Sequence, residues 1–194
     1  MSDPTTRAAD WFAPDRTELA AQRILDVAEE MFVEQGVPAV TMRGLAEAVG
    51  CSRATLYRYY PGKSEVLAAY VDRAATELGN AVTAATRHET DPAERLVAAV
   101  TTAVAGVRAN PALSAWFTPD ASGGSSNLAL LSPAIEAMAV EFLGDITPRV
   151  EASTRRERAR WLVRVIVSLL TSPAETVDEE RKLLRSFVIP VVLG

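Results

Sequence analysis

The chain carries a single cysteine, Cys51, and a single histidine, His88. A lone thiol excludes an internal disulfide, and one imidazole beside it leaves too few soft ligands for a typical zinc or di-histidine metal centre. A glycine-rich phosphate loop, HExxH and GxSxG are all missing, and no His/Cys pair exists from which a nucleophile and its base could be assembled. Neither catalysis nor a cofactor is expected. Long apolar runs are missing too. The greasiest stretch, Trp161 to Leu170, is broken by Arg164 and Ser168 and falls short of the roughly 18 residues that span a membrane. The opening MSDPTTRAADWFAPDR has acids and two prolines where an export signal would be apolar, so the expectation is a cytoplasmic protein with no membrane partner. Basic residues are outnumbered, 20 against 25 acidic, which argues against indiscriminate polyanion binding but says nothing of a local surface.

What the chain has is helical periodicity. Its 194 residues, 48% of them apolar, suffice for one or two units with a sizeable core. From Arg16 to Gln35, Ile24, Val27, Ala28, Met31 and Phe32 recur at spacings of three and four, and Gly36 stops the helix. Thr41 can cap a short helix through Val49, with Gly50 as its tight turn; Ser52 caps a third that Pro61-Gly62 breaks. Two short helices joined by such a turn, braced by a preceding one, form a helix-turn-helix. A long fourth helix follows from about Lys63 to Thr86. Further starts are marked by Asp91-Pro92, Asn110-Pro111, Ser132-Pro133, Thr154 with Glu157, and Thr176 with Glu179, each a capping oxygen with Pro at N1 or a carboxylate near N3. No stretch alternates with period two, so the expected fold is all-α. TPDASGGSSN, after Trp116-Phe117, reads as a mobile loop within the second domain.

The third helix, in SRATLYRYYPGK, is short of aliphatics and rich in arginine and tyrosine. On a helical wheel Leu56 and Tyr60 share one side, and Ala54 and Arg58 lie opposite, flanked by Arg53, Thr55 and Tyr57. One side is core. The other suits a major groove: Arg can bridge guanine O6 and N7, Thr and Ala can meet a thymine methyl, and a phenol can donate to phosphate. Tyr59 fits either role. From Arg43 to Lys63 the cations are Arg43, Arg53, Arg58 and Lys63 and the one acid is Glu47, a positive patch in an acidic protein. Arg43 and Lys63, each in a first helical turn, can clamp backbone phosphate.

Arg23 to Val71 resembles the DNA-binding domain of TetR-family transcriptional regulators. The brace ILDVAEEMFVEQG, the T-x-R-x-L-A-x-x-V-G turn of Thr41 to Gly50, and the aromatic helix SRATLYRYY with its following Lys63 carry the likeness. The resemblance implies that Arg43, Arg53, Ala54, Thr55, Tyr57, Arg58, Tyr59 and Lys63 lie at the DNA surface, with Tyr57 and Lys63 on phosphates. Cys51, Tyr59 and Tyr60 depart from the family's frequent aliphatic, His and Phe, which leaves the fold reading intact and the target sequence open.

The expected organisation is a flexible N-terminal arm (1–16), a helix-turn-helix DNA-binding domain (17–62), and a helical ligand-binding and dimerisation domain (63–194). The arm, with Trp11 and Phe12, is either disordered or in contact with the minor groove. Trp161 to Leu170 is apolar nearly all round, and a second stripe lies at Leu183, Leu184, Phe187, Val188 and Val191. A helix greasy on two sides packs against two things, so Trp161, Val165, Leu169, Leu184, Phe187 and Val188 are candidates for a homodimer interface in a four-helix bundle. Trp116, Phe117, Met138 and Phe142 either line a cavity for a small-molecule effector or fill the core. His88 reads as a solvated helix end and Cys51 as a small packing residue. The sequence-based reading is a dimeric regulator, in the repressing sense, that leaves a pseudo-palindromic double-stranded operator when a small apolar or amphipathic molecule binds. The alternative is a helical protein–protein interaction module, whose hot spots also favour Tyr and Arg.

Overall fold

The computed structural model describes residues 16–117, 130 and 132–194. The arm apart from Arg16, and the TPDASGGSSN segment, lie outside the described residues. Among the described residues there is no strand, and no single helix is long and apolar enough to cross a membrane.

Helix α1 (Arg16–Gln35) ends at Gly36, and a 3-10 turn (Val37–Ala39) leads to α2 (Met42–Val49). The Thr41 hydroxyl accepts from the Gly44 amide and so caps α2. Gly50 closes it at φ 76°, where a left-handed backbone suits glycine, and the Ser52 hydroxyl then accepts from the Thr55 amide to open α3 (Arg53–Tyr59). Helix α4 (Lys63–Thr86) leaves the head and runs on for 24 residues, about 36 Å.

Three of the next starts carry the expected cap. Asp91, Asn110 and Ser132 side chains accept the amides of Glu94, Leu113 and Ile135 and open α5 (Pro92–Ala109), α6 (Pro111–Ser114) and α7 (Pro133–Ile146). A 3-10 turn (Ala115–Phe117) extends α6. Thr176 and Glu179 form a full capping box on α9 (Val177–Leu183). The exception is α8 (Ala152–Thr171): it begins after Glu151 with no side-chain cap, and Thr154 lies inside its first turn.

The C-terminal helix continues from α9 through a π-turn (Leu184–Val188) into α10 (Ile189–Leu193), with the Ile189 amide bonding five residues back to Leu184. Pro190 explains the widening, since its ring has no N–H and would collide with the carbonyl four residues earlier in a regular helix.

Two apolar clusters hold the chain. The head core gathers Ile24, Phe32, Leu45, Leu56, Val66 and Tyr70 from the first four helices, but also Ala112 and Trp116 from the α6 region. The second joins Leu96, Val100 and Val104 to Leu143, Leu162, Leu184 and Val188. Each large aliphatic or aromatic side chain so buried is worth about 1.5–3 kcal/mol. The division at residue 62 is therefore crossed by packing: α6 seals the head from below.

Candidate nucleic-acid interface and cavity

The outer face of α3 follows from what its inner face must do. Leu56 is fully buried and Tyr60 nearly so, with the Tyr60 phenol donating to the Ala21 carbonyl of α1 at 3.5 Å. Burial raises the Tyr60 pKa. That anchoring turns Arg53, Ala54, Tyr57 and Arg58 outward, and all four are exposed. Tyr59 is half-buried against the head core, with the Arg58 guanidinium 5.5 Å from its ring centroid. Thr55 is half-buried, its hydroxyl 2.9 Å from that of Ser52, so it serves the helix cap as well as the surface.

Two expected phosphate contacts already have partners. Arg43 donates to Glu47 one turn on, at 2.9 Å, which raises its pKa. Lys63 donates to the Pro38 carbonyl at 3.2 Å, tying the start of α4 to the turn after α1. An ammonium has three donors, so two remain for a phosphate. No side chain caps the N-terminus of α4, which leaves backbone amides there for an anion.

Below the head lies a cavity of about 450 Å³ between α4, α5, α7 and α8. Trp116, Phe117, Met138 and Phe142 all line it. The sequence reading missed its polar residues: Thr76, Asn80 and Thr83 on α4, spaced along one face, with Arg95, Glu141 and Asp145. The i, i+4, i+7 spacing of the α4 set was the available signal. Because only a short link separates α4 from α5, Arg95 in the first turns of α5 lies beside the far end of α4, away from the head. Trp116 marks the near end and belongs to both structures. It lines the cavity, and its ring sits 6.0 Å from Tyr70, which in turn meets Phe32 at 5.5 Å. The Tyr70 phenol donates to Glu29 at 3.0 Å, and the Asn110 amide donates to the same carboxylate oxygen at 3.3 Å.

The expected dimer residues divide. Leu169, Leu184 and Val188 are buried in the second core and cannot meet a partner, because the helices of their own subunit already cover them. Trp161 and Val165 are half-buried, and Phe187 is 69% exposed. Exposed Leu183 and Val191 flank Phe187 along the same helix.

A family model for bacterial regulatory proteins of the tetR family matches residues 24–70. An uncharacterized HTH-type transcriptional regulator of Mycobacterium tuberculosis is 42% identical over 183 residues, covering 94% of this chain and 90% of the relative. The chain belongs to the TetR family of transcriptional regulators. Solved TetR-family structures share its fold. The repressor AlkX from Dietzia sp., implicated in biodegradation of n-alkanes, superposes with a TM-score of 0.66 at 21% identity, covering 89% of this chain and 95% of that one. RolR in complex with the ligand resorcinol gives 0.64 at 20% identity, covering 91% and 93%. TetR-family regulators bind DNA and act as dimers, and the family is one of regulators, not enzymes.

Proposed function

We propose that this TetR-family regulator is a repressor that binds a pseudo-palindromic operator as a homodimer and is released by a small effector occupying the cavity. The observation that carries this reading is the division of labour in α3: Leu56 and Tyr60 inward, Arg53, Ala54, Tyr57 and Arg58 outward. Arg53 and Arg58 are the base readers, because their guanidiniums have no carboxylate partner among the described residues. Thr55 and Tyr59 contribute their exposed edges. Arg43, Tyr57 and Lys63 serve the phosphates, Arg43 after exchanging Glu47 for one.

The exposed Leu183, Phe187 and Val191, with half-buried Trp161 and Val165 on α8, supply the dimer face. A twofold pair presents its recognition helices to half-sites about 34–36 Å apart or a multiple of that.

Release follows from Trp116. A molecule that shifts this ring presses on Tyr70 and Phe32, and through Glu29 on α1, so cavity and head exchange strain over two ring contacts. Only an occupant with different affinities for the two arrangements can move the equilibrium, and about 1–3 kcal/mol of coupling is usual. AlkX is described as a repressor and RolR as binding resorcinol, which supports a ligand-released repressor here. Footprinting on the promoter upstream of its own gene, followed by anisotropy titration of the protected duplex at several salt concentrations, tests the reading. A protected palindrome and a steep salt dependence are expected; binding that ignores both sequence and salt refutes it in favour of a protein-binding module.

A further inference from the structure

The ionic residues of the cavity differ in burial, and that difference decides which charge an occupant meets. Glu141 and Asp145 are exposed at its rim, Asp145 with 62% of its side chain in solvent, so water and counterions screen them. Arg95 is withdrawn, its side chain only 25% exposed and its guanidinium 5.6 Å from the Phe142 ring centroid. The cavity therefore feels the one cation more than the two acids, although a count of charges says the reverse.

Arg95 is also under-satisfied. Its contact with Asp145 is long, 3.5 Å at Nη2, and its Nε is buried without an acceptor. At the near end the Trp116 indole N–H, on a residue only 5% exposed, lacks an acceptor as well. Among the described residues three buried side-chain donors are unpaired, and two of them belong to this cavity's lining. The charged Arg95 edge is the stronger demand for an acceptor, and neutral hydrocarbon supplies none.

We propose that the effector is an amphipathic carboxylate, its acid group received by Arg95 in place of Asp145 and its apolar body lying along the cavity toward Trp116. A carboxylate facing the Nε and Nη2 edge makes two parallel charge-assisted hydrogen bonds, whereas Asp145 reaches Nη2 alone. Phe142 holds the guanidinium plane from below, and the aliphatic and aromatic walls take the body. The volume, about 450 Å³, lies within the range of roughly 300–1,000 Å³ usual for small-molecule pockets. This inference rests on the cavity being the effector site.

Calorimetric titration of the full-length protein with decanoate, decan-1-ol and decylamine tests it, since the three share a chain and differ in the head. Decanoate is expected to bind at least tenfold more tightly than decanol, with decylamine weakest. Arg95→Met should remove the decanoate advantage while decanol binds as before. Arg95→Lys should keep part of it, and Asp145→Asn should enlarge it by removing the competitor. If Arg95→Met also loses decanol, its cavity has collapsed and the Lys and Asn variants decide: an unchanged decanoate preference in both overturns the assignment. Equal wild-type affinities for decanoate and decanol overturn the carboxylate and leave the cavity as an effector site. Tightest binding by decylamine transfers recognition to the rim acids and also overturns it. Failure of all three to bind overturns this inference and the effector cavity together.

Discussion

Arg108, at the end of α5, grips Glu180 of the C-terminal helix through both carboxylate oxygens, at 2.6 and 3.1 Å, while its Nη2 also donates to the Leu169 carbonyl of α8. The Glu180 side chain is only 4% exposed, so three helices meet on one buried charge. Removing one partner of such a pair strands the other, at a cost of about 3–5 kcal/mol. Arg108→Ala strands Glu180 in the interior and should cost about 3 kcal/mol, whereas Glu180→Ala strands only Arg108, which is 36% exposed to water and keeps the Leu169 carbonyl, and should fall below that range. Urea unfolding of the two variants should show this order.

Gly50 makes a cleaner test of the helix-turn-helix. Its φ is 76°, yet a Cβ there would meet no atom within 4 Å. Any penalty for Gly50→Ala is then purely backbone, about 1–2 kcal/mol for a side chain forced left-handed. Gly50→Asn should cost less, because Asn tolerates that region. Thermal unfolding that ranks Ala as the milder change would contradict this account of the turn.

The helix limits that were legible in the sequence are those with chemical punctuation. Thr41, Ser52, Asp91, Asn110, Ser132 and Thr176 each cap where their side-chain oxygens suggested, and Gly50 turns where only glycine is unstrained. The start of α8 was not legible because Glu151 makes no side-chain cap, so Thr154 offered a false signal. Periodicity likewise told that Leu184, Phe187 and Val188 sit on a greasy helix but not which side its own subunit covers. The π-turn adds a residue to that turn, which rotates the face beyond what regular spacing foretells. The outward set on α3 was readable because Leu56 and Tyr60 fix its rotation. Trp116 in the head core was not, since it reaches Tyr70 from more than forty residues away and only packing reveals it.

Tyr70 should make the protein sensitive to alkali. Burial first, then the neighbouring Glu29 carboxylate, pushes its phenol above the ordinary value of about 10. The folded state then keeps a proton that the unfolded chain releases. Its contribution is fully present below about pH 10 and is lost as pH rises through the raised folded value. Urea midpoints should therefore fall with pH above about 10, and Tyr70→Phe should flatten that fall. Tyr60, also raised by burial, accounts for slope that persists.

On the proposed reading of α3, base contacts and phosphate contacts leave different signatures. Arg58→Ala should cost about 1–3 kcal/mol on the preferred operator and much less on an unrelated duplex, so discrimination relaxes. Lys63→Met should weaken both duplexes alike and reduce the salt slope by about 1. Its loss should also release the Pro38 carbonyl and loosen the start of α4, visible as a small drop in melting temperature. Anisotropy titrations on both duplexes at several salt concentrations check the pair. Equal losses from both substitutions on both duplexes would remove Arg58 from the base readers.

Phe187 separates assembly from folding. Leu184 and Val188, its neighbours on the same turn, are almost fully buried, whereas Phe187 is 69% exposed and contributes to neither core cluster. A charge placed there leaves the monomer intact but meets its own copy across a twofold axis, where like charges and lost apolar contact act together. Phe187→Glu should therefore keep its helical circular dichroism and melting cooperativity while sedimenting as a monomer at micromolar concentration. Operator affinity should collapse with it, because a single head reaches one half-site and forfeits the second set of contacts. Leu184→Glu is the contrast, since a buried carboxylate inside the subunit should unfold it outright. A dimer that survives Phe187→Glu would move the interface off this face, onto surfaces of α8 that exclude the C-terminal helix.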